Sequence, residues 1–352
     1  MSLLFKVLFC NGCKNLHHKL VLDSLRFMRG PHSENWRNLF VKHHTLLLSG
    51  ASAPDDDFKD FKNHVLHVKE NNWGGAVASA KRWYQRVVET VSDQAWFEAI
   101  YAVGVLSHYV TDPLLPMHTA MSESAGKVHH ALEWSTYHTY SELQQIVETD
   151  LGGYPHVQLA EGGNWLDQTL REGATAAYEH YQPALDHYNL ALGVKDPPSG
   201  LDQELKDRMA KQISLAAVTF ARVLDRAIAE SQTTPPDVFV TLEGMLATMQ
   251  SPLPWMSQKM QNFRERAIVE AIYDEVQQTG KALLTLPEDE KIVRRLHAQE
   301  VLRVSLNELD AKKPEPTGRL HGKGAGIRWR LPLPVFHEPR IPATPPQYKA
   351  AA

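Results

Sequence analysis

His108, Asp112, His118, His129 and Glu133 fall within one stretch, GVLSHYVTDPLLPMHTAMSESAGKVHHALE, residues 104–133. Their types and order fit metal chemistry. Apolar residues before His108, among them Ile100, Val103 and Leu106, recur at helical spacing. On that helix His108 and Asp112 share a face, with Cβ atoms roughly 5–6 Å apart, so one ion can take both. Pro113 and Pro116 stop the helix, and the chain turns through His118. A second helix is predicted after the polar stretch Ser122 to Lys127, and on it His129 and Glu133 repeat the i,i+4 pairing. Two such pairs bracketing a fifth ligand-type residue read as a metal-binding core. Imidazole and carboxylate without thiolate suit zinc. They suit magnesium and calcium poorly, since those ions take oxygen almost exclusively; manganese and iron are compatible by ligand type.

The string S-H-Y-x-x-D-x-x-x-P-x-H from Ser107 to His118, followed by H-x-x-x-E from His129 to Glu133, closely resembles the zinc-dependent phospholipase C family. The wider superfamily of that family includes the single-strand-specific P1/S1 nucleases. The resemblance runs from about residue 15 to about residue 140 and weakens toward about residue 230. It implies an all-α, multi-helix catalytic domain over residues 1–232 and two or three zinc ions. One zinc would be held by Asp55, His67, His108 and Asp112, a second by His118, His129 and Glu133, and a third by His17 with Asp112 bridging.

Each matched position rests on local pattern. Asp55 follows Pro54 in a G-x-x-x-P-D stretch, and its counterpart in the family is also a candidate general base, so Asp55 carries the catalytic assignment. His67 stands twelve residues later, with His64 one turn earlier as its competitor. His17 opens a helical pattern that puts Ser24 at the family's small position, and His18 is the neighbouring alternative. One departure stands out. The family's mature chain begins with a tryptophan whose amino and carbonyl groups complete the third site, whereas here no tryptophan precedes Trp36. Cys13 is the candidate substitute if residues 13–17 are helical.

The activity implied is hydrolysis of a phosphoric ester by a metal-activated water, of the phospholipase C type, on a phospholipid or other phosphodiester. Glu133 stands where the nucleases usually have aspartate, which tilts the reading toward the phospholipase branch. The alternatives are a single-strand nuclease or 3′-nucleotidase, for which Tyr109, Trp73 and Trp134 would be stacking surfaces, and a non-catalytic zinc-binding helical protein. Structural zinc sites are typically rich in cysteine, which argues against the last. A net charge of −4 and a pI near 6.5 give no basic footprint for duplex nucleic acid.

Hydrophobic residues make up 43% of the 352, enough for a sizeable core. Fifteen of the eighteen histidines precede residue 190, where the proposed chemistry lies. The two cysteines, Cys10 and Cys13, form no disulfide framework; their C-x-x-C spacing around Asn11-Gly12 reads as two buried thiols at a turn. The apolar run at the N-terminus is too short and weakly flanked for a signal peptide. No stretch approaches the roughly 20 apolar residues of a membrane span. A cytoplasmic protein that touches a membrane surface transiently is the expectation, although the best-known phospholipases of the family are exported.

Helices are predicted over Trp36–Leu48 (ended by Ser49-Gly50), 76–91, 94–111, Trp165–His187 and Leu201–Glu230, and residues 2–9 pack as a short strand or helix end. Beyond Thr233-Thr234-Pro235-Pro236 a helical extension of unknown role covers residues 233–311, with segments at 237–250, 254–283 and 288–310. A tail rich in proline and glycine, residues 312–352, reads as flexible.

Overall fold

The computed structural model describes residues 3–241 and 252–313. Every regular element among them is helical, and extended pairing is limited to isolated bridges, His67 with Trp73 and Tyr188 with Leu201. The helices are α1 (Leu3–Asn11), α2 (Leu16–Leu25), α3 (Ser33–Lys42), α4 (His44–Ala53), α5 (Ala76–Ser92), α6 (Trp96–Thr111) and α7 (Glu123–Thr149). They continue with α8 (Trp165–Tyr178), α9 (Tyr181–His187), α10 (Leu190–Gly193), α11 (Gln203–Ser231), α12 (Pro252–Thr279), α13 (Glu288–His297) and α14 (Leu306–Asp310). None of the described helices is long and apolar enough to cross a membrane.

The fold is built around α6. Its residues 102–111 are all buried, mostly apolar with His108 among them, as a central helix that carries a site must be. α4 and α5 lie along it, and α11 packs on α2, α5, α6 and α7. α4 approaches α6 so closely that only glycine fits at the crossing. A Cβ on Gly50 would stand 2.2 Å from the Tyr101 carbonyl oxygen, and one on Gly104 would stand 2.2 Å from that of Leu47. This crossing brings the Ala51 carbonyl to His108, the first link between packing and site.

It also explains a difference from the sequence reading. Ser49-Gly50 does not end a helix; the break falls earlier, at His43, and α4 runs on through Gly50 into a wide π turn, Pro54–Phe58. Gly50 serves helix packing rather than termination. The first segment is a helix, not a strand, and the Trp165–His187 segment is two helices, with Pro183 inside the first turn of α9, where its missing N–H costs little.

Residues 252–313 belong to the same compact unit as the rest of the described chain. α12 packs on α7, and α13 packs on the 3₁₀ turn Phe61–His64. The Glu275 carboxylate accepts backbone N–H groups from Leu283, Leu284 and Thr285 and so fixes the loop that returns α13 toward the core. Residues 237–241 are not helical; the rest of the predicted 237–250 segment, to residue 250, and the tail beyond residue 313 lie outside the described residues.

Candidate metal centre

Four donor atoms converge where α4, α6 and the 3₁₀ turn at Phe61–His64 meet. His108 Nε2 lies 3.0 Å from Asp112 Oδ2, 3.7 Å from Asp55 Oδ1 and 3.1 Å from His64 Nδ1. His64 Nδ1 lies 3.3 Å from Asp55 Oδ1 and 3.5 Å from Asp112 Oδ2. Zinc–ligand distances of about 2.0–2.1 Å set the edge of a tetrahedron at about 3.3 Å. Five of the six separations scatter about that edge, and the donor atoms that all lie within 4.8 Å of one another form two trios sharing His108, namely Asp55–His64–His108 and His17–His108–Asp112, so the residues present fit an ion at this junction.

The far side of each ring fixes which nitrogen faces the centre. His108 Nδ1–H donates to the Ala51 carbonyl at 2.8 Å, leaving the Nε2 lone pair inward. His64 Nε2–H donates to Asp60 Oδ1 at 3.3 Å, leaving Nδ1 inward. Asp60 in turn accepts from Tyr109 Oη at 2.8 Å and from Asn63 Nδ2 at 2.7 Å. Outer carboxylates and carbonyls of this kind set tautomer and ring orientation at metal sites. The buried Tyr109 therefore positions Asp60, rather than offering a stacking face to substrate.

Two further groups adjoin the first. His17 Nδ1 lies 3.4 Å from Asp112 Oδ1 and its Nε2 lies 3.6 Å from Asp55 Oδ2. The His17 ring stacks on that of His108 with centroids 3.9 Å apart. Asp112, with 0% exposure, thus turns one oxygen to each group. His118 Nε2 and His129 Nε2 both meet Glu133 Oε1, at 3.0 and 3.2 Å, and His118 Nδ1 lies 3.9 Å from Asp112 Oδ2. Both oxygens of Asp112, together with His17 Nδ1 and His118 Nδ1, are buried without a hydrogen bond of acceptable geometry. Such atoms are rare in folded proteins unless an ion or water supplies the partner.

The charges respond to one another. Burial alone would raise the Asp55 carboxyl, but the charges of His108, His64 and His17 bring it down to about 2. Burial is likewise overcome at Asp112, which His108, His118 and His17 hold well below the usual carboxylate range. His64 would be lowered by burial; its hydrogen bonds to Asp55 and Asp60 push it up to about 10. A proton therefore sits among the carboxylates in the metal-free protein, and an ion entering the site must displace it.

Of the residues predicted, His17, Asp55, His108, Asp112, His118, His129 and Glu133 meet here. His67 does not join the first group: His64 takes that place. The two histidines do not share a helix face, because the 3₁₀ turn ends at His64 and Val65 is extended. His67 is directed to Glu70 and His297 instead, 2.8 Å from Glu70 Oε2 through Nδ1. His18 is excluded as a ligand, since its Nδ1 accepts the Lys14 N–H at 3.2 Å and its Nε2–H donates to Ser52 Oγ at 2.8 Å. Cys13 is no substitute ligand either. Residues 12–15 are not helical, the thiol lies in the apolar core, and burial pushes its pKa up to about 12. Cys10, expected to be buried, is exposed. Trp73 packs on His67 and His297, whereas Trp134 lines the site.

The groups open into a cavity of about 450 Å³, walled on its apolar side by Phe61, Val65, Met117, Trp134 and Val293. The C-terminal helices supply Glu265, Asp289 and Glu290 to its lining. None was singled out from the sequence. Glu288-Asp289-Glu290 opens a helix after Pro287, where carboxylates are favoured by the helix dipole in any protein, so the run carried no signal of a site. Asp60 was equally silent. No protein-family model matches the chain, and no curated protein matches it significantly.

Proposed function

We propose that the protein is a zinc-dependent phosphoric ester hydrolase of the phospholipase C type. The observation that carries this reading is the set of donors His64, His108, Asp55 and Asp112, which stand 3.0–3.7 Å apart in five pairs and which Asp112 joins to two further groups. Zinc bound in such a cluster makes hydroxide from water near neutral pH and offsets charge on phosphoryl oxygens. His64, His108, Asp55 and Asp112 would hold one ion, with His118, His129 and Glu133 holding a second. His17 with Asp112 offers a third place.

Asp55 is the most exposed of the cluster carboxylates, with 38% of its side chain open, and it borders the cavity. It is the residue placed to receive a proton from an attacking water. The apolar residues of the lining suit a lipid's acyl chains, with the headgroup phosphate at the metal end. The likeness of the S-H-Y-x-x-D-x-x-x-P-x-H and H-x-x-x-E strings to the zinc-dependent phospholipase C family supports the same reading.

The test is a paired assay on metal-analysed protein, using a chromogenic phosphocholine ester beside single-stranded DNA, before and after chelation and zinc return. Chelator-sensitive release of phosphocholine is expected. Cleavage of single strands instead would move the protein to the nuclease branch. Tightly held metal with turnover of neither would make it a non-catalytic zinc protein.

A further inference from the structure

The C-terminal extension meets the proposed metal centre at one atom that the ligand set leaves open. His129, on α7, faces Glu133 with Nε2 at 3.2 Å. Its other nitrogen, Nδ1, lies 2.5 Å from Glu290 Oε1, on α13. Both partners are largely buried, with 15% and 9% of their side chains exposed. One turn of sequence cannot bring them together; the bend after α12 and the packing of α13 do so.

Resting on the reading above, we infer that Glu290 is a positioning residue for the metal centre. It accepts the Nδ1–H of His129, fixes the tautomer with the Nε2 lone pair toward Glu133 and His118, and raises the basicity of that nitrogen. A carboxylate behind a ligating histidine does this at metal sites generally. The same is true of His108, which has a carbonyl behind it, and of His64, which has Asp60. His129 is the one whose backing comes from the extension, so α13 completes the centre rather than merely covering it.

The placement of α13 is itself rigid. His297, its last residue, puts Nε2 2.7 Å from Glu70 Oε2, which also receives His67 Nδ1 at 2.8 Å. Glu70 sits in a tight turn closed by His67 N–H to the Trp73 carbonyl at 2.7 Å, with Asn71 and Asn72 at φ of 53° and 56°. Asparagine accepts that left-handed conformation more readily than most residues. Each end of α13 is thus held by a histidine–carboxylate link, and Glu290 cannot drift from His129 while the helix is docked.

The experiment compares full-length wild type with Glu290→Gln, Glu290→Ala and, as a neighbour control, Glu288→Gln, whose side chain is mostly exposed. Metal affinity is measured by competition with a chromophoric chelator, and the visible spectrum is recorded with cobalt in place of zinc. Glu290→Ala is expected to weaken the most labile ion about ten- to a hundredfold and shift the cobalt bands. Glu290→Gln, which keeps an acceptor but loses the charge, should fall between, and Glu288→Gln should match wild type. Wild-type affinity and spectrum in a folded Glu290→Ala protein would overturn the inference alone. Absence of bound metal in the wild type would overturn the underlying reading and this inference with it.

Discussion

Two histidine–carboxylate clusters lie near each other in this protein and use the same residue types to opposite ends. In the group of His64, His108, Asp55 and Asp112, donor atoms stand 3.0–3.7 Å apart and carboxylate oxygens are left without well-formed hydrogen bonds. In the group of His67, Glu70 and His297, two imidazoles meet one oxygen at 2.8 and 2.7 Å. The first spacing leaves room for an ion at the centre. The second is that of ordinary N–H···O bonds, with the carboxylate already satisfied. Both groups have the composition of a metal site; the second is a clasp, its short contacts those of bonds whose protons are already in place. Burial lowers His67, which keeps that ring neutral and suited to donate one proton to Glu70, while burial is overcome at Glu70, held at about 2 by His297 and His67.

The comparison breaks most readily at Asp112. Asp112→Asn removes the charge shared by all three groups, so bound metal should fall by at least one ion per chain and hydrolysis should drop to the level of chelated protein. Metal analysis with the phosphocholine assay checks both, and an active, fully loaded variant would undo the assignment. Chelation of the wild type comes next. Each site held at a hundredfold excess of free ion over its Kd contributes about 2.7 kcal/mol to stability, so calorimetry should show a marked fall in Tm that zinc restores.

The clasp predicts a different response. Glu70→Gln should leave metal content unchanged, yet open α13 to limited proteolysis at a rate well above wild type. Loss of an ion instead would show that the short distances misjudge this group. Gly50→Ala probes the crossing beneath the first group: overpacking of this kind costs about 1–3 kcal/mol, and the shift of α4 from α6 should loosen the ion proposed to bind at His108. The smallest effect is one of slope. In metal-free protein the raised pKa of His64 contributes stability that is full below its ordinary value near 6.5 and is lost as pH rises through about 10. Denaturant titrations of the metal-free protein between pH 7 and 10 should therefore show stability falling, and a flat or rising profile would contradict the protonated His64.

What the sequence disclosed was whatever one helix, or one break, could hold. His108 with Asp112 and His129 with Glu133 lie four apart on α6 and α7, so spacing alone marked them. Spacing from Asp55 favours His67 over His64, but the chain there forms a 3₁₀ turn and then an extended residue, which brings His64 to the donors; no periodicity warns of that. Gly50 reads as a stop in the sequence because a glycine's role in a close crossing depends on a helix elsewhere in the chain. Asp60, Glu290 and His297 act through partners brought near only by packing, and nothing local distinguishes them from surface charge. The all-helical class, by contrast, was written in the apolar stripes of α6 and α11, which need no distant partner to be recognised.

The four donors of the first group all lie between residues 55 and 112, whereas the backing of His129 waits for residue 290. Synthesis proceeds from the N-terminus, so a ribosome releases these four donors long before it releases α13. The donors of the first group thus emerge early, whereas the partner of His129, and the helix that packs on the turn bearing His64, come only when nearly the whole described chain has been made. A product cut short before α13 would carry those donors and lack the means to align His129.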